Sequence, residues 1–81
     1  KFFALKESIK KEKAQLYEKL GTAYIKSKLY PEAINAYNKS LEFDPNNYKI
    51  YYYLGLLYQY VEHDSQKATE YLKKYLNLAP E

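Results

Sequence analysis

Residues 17–24 read YEKLGTAY and residues 51–58 read YYYLGLLY, so Tyr17, Leu20, Gly21 and Tyr24 return as Tyr51, Leu54, Gly55 and Tyr58, each displaced by 34 positions. A fixed period of this size marks an array of stacked helical hairpins, because one hairpin alone cannot bury its apolar face. Downstream, Ala33, Tyr37, Ser40 and Pro45 return as Ala68, Leu72, Tyr75 and Pro80, now displaced by 35. The extra residue is expected within residues 61–66, where a turn between two helices takes up length without disturbing packing.

The apolar spacing gives the same reading. In residues 14–28 apolar side chains fall at 14, 16, 17, 20, 24 and 25, the three-to-four rhythm of a helix with one buried stripe. Gly21 sits inside that stripe. A glycine in a helix interior costs about 1 kcal/mol relative to alanine, so it calls for a close packing partner, and Ala33 is the small residue expected opposite. Pro31 fits the first turn of a second helix, where its missing N–H has no intrahelical acceptor, and Ile34, Tyr37 and Leu41 extend an apolar stripe that ends at Phe43. The run Asp44-Pro45-Asn46-Asn47 reads as a turn with a helix cap. A third helix is predicted over residues 47–61 and a fourth over residues 65–78, capped by Asp64 or Ser65. Upstream, Phe2, Leu5 and Ile9 keep helical spacing, and no Gly or Pro separates them from Leu16. The favoured reading is one unbroken helix over residues 2–28. The alternative is the tail of a preceding repeat, ended by a bend near residues 10–13.

The pattern Y-x-x-L-G-x-x-Y…A-x-x-x-Y-x-x-S…P in residues 17–45, nearly repeated in residues 51–80, resembles the tetratricopeptide repeat family. The second copy departs from it by placing Leu72 at the aromatic position and Tyr75 at the small one. The resemblance implies an all-α fold of two helix-turn-helix repeats in a right-handed α-α superhelix. The expected divisions are an N-terminal helical extension at 1–13, a first repeat at 14–47 and a second at 48–81. The expected packing signature is Tyr17, Leu20, Gly21, Tyr24, Ala33, Tyr37 and Pro45 in the first copy, then Leu54, Gly55, Tyr58, Ala68 and Pro80 in the second.

The resemblance also implies a groove, lined by the first helix of each repeat, that takes a peptide or a partner helix. In the first repeat its positions are Gln15, Glu18, Lys19, Thr22, Ile25 and Lys26, a mixed polar set. In the second they are Lys49, Tyr52, Tyr53, Leu56, Gln59 and Tyr60, rich in the tyrosine that concentrates at binding hot spots. The second face is therefore the favoured site. One subset of the family clamps the terminal carboxylates of heat-shock chaperones with Lys and Asn; here Glu18 and Thr22 stand at those positions, and an acid there repels a carboxylate.

Composition narrows the function classes. With 47% apolar and 28% charged residues the chain is globular in character, and no run reaches the roughly 18 apolar residues of a membrane span. There is no cysteine, which excludes disulfides and thiolate metal sites and leaves the compartment open. Residues 1–40 carry nine Lys against four acids, whereas residues 41–81 carry four Lys against six. That basic first half supports an alternative reading, an RNA-binding helical repeat with tyrosines as stacking platforms. The lack of any Arg, the usual forked reader of bases and phosphates, argues against nucleic acid.

The one histidine, His63, stands between Glu62 and Asp64 without a second His or Cys to complete a metal site. No nucleophile, base or cofactor motif clusters elsewhere, so a non-enzymatic module without a cofactor is expected. The sequence opens on Lys1 rather than Met and reads as an excised domain. Two repeats are fewer than the three or so that stabilise such an array, so a longer array or a homodimer is expected to cover the open ends.

Overall fold

A computed structural model describes residues 2–81, with side chains from Ala4 onward; Lys1 and the Phe2 side chain, counted in the N-terminal stripe, lie outside the described residues. Four helices follow one another: α1 (Phe2–Lys26), α2 (Tyr30–Phe43), α3 (Tyr48–Tyr60) and α4 (Ser65–Leu78). Among the described residues there is no strand, and the fold is all-α.

The helix ends follow from local chemistry. α1 stops at Lys26 rather than running on to residue 28. Lys28 turns into the left-handed region at φ 62°, its N–H donates to the Ile25 carbonyl at 2.9 Å, and the Leu29 N–H donates to the Tyr24 carbonyl at 2.8 Å. This pair of bonds satisfies the orphan carbonyls at the end of α1 and turns the chain back. α2 begins with Pro31 in its first turn and has no side-chain cap. α3 is capped by Asn47, whose Oδ1 accepts from the Lys49 N–H at 3.2 Å, and α4 by Asp64, whose Oδ1 accepts from the Lys67 N–H at 3.1 Å. Each cap supplies an acceptor to one of the free N–H groups of the first turn.

The inserted residue shows in the second turn. The left-handed residue lies four positions after Tyr24 in the first turn and five after Tyr58 in the second, where it is His63 at φ 54°. The longer turn is closed by the Asp64 N–H donating to the Tyr58 carbonyl at 2.8 Å, with the Glu62 N–H donating to the Leu57 carbonyl at 3.1 Å.

The chain divides into two compact units, one ending at Pro45 and holding α1 and α2, the other spanning Asn46–Glu81 and holding α3 and α4. In the first, Ala14, Ala33, Ala36, Tyr37 and Ser40 are buried. The Ser40 Oγ donates to the Ala14 carbonyl at 2.7 Å, so the buried hydroxyl is satisfied. In the second, Ile50, Tyr51, Leu54, Leu57 and Ala68 are buried.

Both signature glycines are buried, and what lies nearest Gly21 is the Tyr37 ring rather than Ala33. A Cβ at Gly21 would lie 2.6 Å from Cε1 of Tyr37, and one at Gly55 would lie 2.6 Å from Cδ2 of Leu72. The missing side chain makes room for the residue one helical turn beyond the small alanine: an aromatic ring in one unit, a leucine in the other.

Candidate partner-binding faces

The polar face of α1 carries an open concavity of about 630 Å³ lined by Gln15, Glu18, Lys19, Thr22, Ala23 and Lys26. Lys19, Thr22 and Lys26 are thus brought together on one face, while Ile25 is half-buried beside it. The Thr22 hydroxyl is not a free donor: it bonds the Glu18 carbonyl at 3.2 Å and shares a 3.0 Å hydrogen bond with the Tyr37 hydroxyl. It therefore ties this face of α1 to the hairpin core.

On α3, Lys49 and Gln59 are exposed and Tyr53 and Leu56 half-buried. Tyr60 is 72% exposed and Tyr52 is 41% exposed. Tyr52 leans on its own hairpin. Its ring centroid lies 5.2 Å from that of Tyr75 on α4 and 6.1 Å from that of Tyr53. Tyr75 also meets Tyr48 edge-on at 6.1 Å. A bulky residue at the small position therefore converts the Ala14–Ser40 contact of the first unit into a ring contact, Tyr48 with Tyr75, in the second.

The packing positions divide between core and surface. Ala33, Tyr37, Leu54 and Ala68 are fully buried, Tyr17, Tyr24 and Tyr58 are half-buried, and Pro45 and Pro80 are exposed turn residues. Tyr17 stacks on Phe43 with ring centroids 5.9 Å apart and planes within 4°. Leu20 remains 40% exposed although its counterpart Leu54 is fully buried.

The aromatic stack of the second unit was missed from sequence. Tyr71 lies between Tyr58, at 5.4 Å and 6°, and Tyr51, at 6.2 Å and 28°. The Lys67 ammonium sits 5.3 Å from the Tyr58 centroid, and that of Lys74 sits 5.5 Å from the Tyr51 centroid. A cation over a ring face is attracted by the ring quadrupole. Burial first, then the neighbouring Tyr58, Glu70 and Tyr51, raise the Tyr71 phenol above its ordinary value. The signal in the sequence was the pairing of Tyr71 with Ala36, displaced by 35.

Among the described residues no three His, Asp or Glu side chains are grouped so as to hold a metal ion, and no helix is long and apolar enough to cross a membrane. His63 is an exposed turn residue.

No curated protein matches the chain. The family model described as TPR repeat matches residues 21–60, from Gly21 through α2 to the last residue of α3. Repeats of this family generally mediate protein–protein interaction and are typically non-catalytic. With its helices α1 to α4 and the glycine-centred motif in two copies, the chain resembles the tetratricopeptide repeat family, and the match over residues 21–60 supports that likeness.

Proposed function

We propose that the chain is a non-catalytic protein-interaction scaffold that takes a peptide or partner helix on the first helix of each repeat. In this reading residues 14–47 and 48–81 are two repeats of a right-handed superhelix, and residues 1–13 extend the first. Lys19, Thr22 and Lys26 contribute from α1; Lys49, Tyr52, Tyr53, Leu56 and Tyr60 contribute from α3. The supporting observation is the exposure of Tyr60, 72%, on the same helix as Lys49 and Tyr53. A large amphipathic ring left in solvent is the side chain most often used as an interface anchor.

The test is affinity capture with the wild-type chain and with Tyr60→Ala combined with Lys26→Ala, both surface changes that leave the helical circular dichroism spectrum intact. Capture of a protein partner should drop at least several-fold in the double variant. An unchanged partner profile would remove the groove assignment.

A second reading, RNA binding through the first half, is favoured by Lys6, Lys10, Lys11 and Lys13, all exposed on α1. It requires affinity for a mixed single-stranded pool that falls steeply with salt. Self-association draws on the exposed Leu5, Ile9 and Leu16 of the same helix. Light scattering over a concentration series checks it, and a constant monomer mass rejects it.

A further inference from the structure

The two hairpins are copies in register, so each position of the first has a template in the second. Tyr71 occupies a slot between Tyr51 and Tyr58. Their counterparts in the first hairpin are Tyr17 and Tyr24, and the counterpart of Tyr71 is Ala36, whose methyl group cannot reach between two rings. At that place the structure has an open slot of about 200 Å³, lined by Tyr17, Tyr24, Leu20 and Ala36, with Glu32 and Lys39 among its remaining walls. Lys39 is itself the counterpart of Lys74, which lies over a ring of the filled stack. The first hairpin thus repeats part of the surroundings of Tyr71 and omits the ring, while Tyr17 also stacks on Phe43 and Glu32 stands where Lys67 lies over Tyr58.

We propose that this slot receives an aromatic side chain, tyrosine or phenylalanine, presented by a partner peptide. Size permits it: an apolar cavity of about 150 Å³ is enough to take benzene, and the slot is larger. Chemistry favours a ring over an aliphatic group, because two tyrosine faces add stacking attraction beyond area burial. The exposure of Leu20, 40% against none for Leu54, is the apolar surface such a ring would cover. The rim carries one acid and one base, so no net charge is selected. The site is separate from the groove: Leu20 and Thr22, two residues apart at about 100° each, point to nearly opposite sides of α1.

The test uses the whole chain and two probes, acetyl-Gly-Tyr-Gly-amide and acetyl-Gly-Leu-Gly-amide, followed by NMR. The tyrosine probe should shift the Ala36 methyl and the Tyr17 and Tyr24 ring signals, and the leucine probe should bind about tenfold more weakly. Ala36→Tyr should fill the slot from within, keep the helical spectrum and abolish the response. Shifts confined to α3, equal binding of the two probes, an undiminished response in Ala36→Tyr or failure of that variant to fold would each overturn the proposal.

Discussion

The hydroxyl of Ser40 donates a 2.7 Å hydrogen bond to the main-chain carbonyl of Ala14, joining α2 to α1 at a point where neither residue leaves room for a larger side chain. At the equivalent place the second hairpin packs Tyr75 against Tyr48. One repeat pattern thus admits two solutions, a small pair with a buried hydrogen bond or a large pair in ring contact, provided that both members change together.

That pairing predicts opposite sensitivities. Ser40→Ala removes a buried bond to a carbonyl that still has its place in the helix ladder, and should cost about 1 kcal/mol in urea denaturation. Ser40→Tyr should be worse, with a loss of about 3 kcal/mol or more, because Ala14 cannot move aside as a ring partner would. Tyr75→Ser should cost about 1–3 kcal/mol by removing the contacts to Tyr48 and Tyr52.

The glycines give a graded test. A Cβ at Gly21 meets the Tyr37 ring at 2.6 and 2.7 Å, and that ring is buried with its hydroxyl held by Thr22. Gly21→Ala should therefore destabilise by about 1–2 kcal/mol even after the gain in helix propensity. At Gly55 the colliding atoms belong to Leu72, a half-exposed side chain with freedom to rotate. Gly55→Ala should stay within about 1 kcal/mol of wild type. Thermal melts of the two variants decide it; equal losses would show that the backbone rather than the Tyr37 ring limits the approach.

How much was legible in the sequence follows from range. Pro31, the Asn46-Asn47 pair and the choice of Asp64 or Ser65 announced helix starts because capping is settled within a few residues, and the period of 34 announced two hairpins; the structure selects Asn47 and Asp64 as the caps. The partner of Gly21 was not legible. Ala33 and Tyr37 both lie on the inner side of α2, and only the crossing of two helices decides which reaches the glycine. For the same reason the contact of Tyr52 with Tyr75 was not legible: Tyr52 stays 41% exposed yet leans on a ring of α4, across a distance no local pattern encodes.

The turns offer a stabilising change. Lys28 holds φ at 62°, a conformation that costs a residue with a Cβ roughly 1 kcal/mol and glycine almost nothing. Its side chain is exposed. Lys28→Gly should raise stability by about 0.5–1 kcal/mol, read as a higher urea midpoint with an unchanged slope. A lower midpoint would show that the lysine side chain contributes more than the backbone loses.

Alkaline titration isolates the tyrosine stack. The Tyr71 phenol is raised above its ordinary value of 10.0, first by burial and then by Tyr58, Glu70 and Tyr51, so the folded chain keeps this proton to higher pH than the unfolded chain does. Below pH 10.0 both states hold it and the full stability is present. As pH rises from there through the folded value, the unfolded state alone sheds the proton and stability falls, levelling once both states are ionised. Tyr71→Phe keeps the ring between Tyr51 and Tyr58 but has no proton to lose. Its urea midpoint should therefore gain on wild type as pH passes 10, while the two hold a constant difference at neutral pH. Parallel curves for the two chains across that range would mean that Tyr71 titrates as freely in the folded hairpin as in the unfolded one, and that the stack does not hold its phenol away from water.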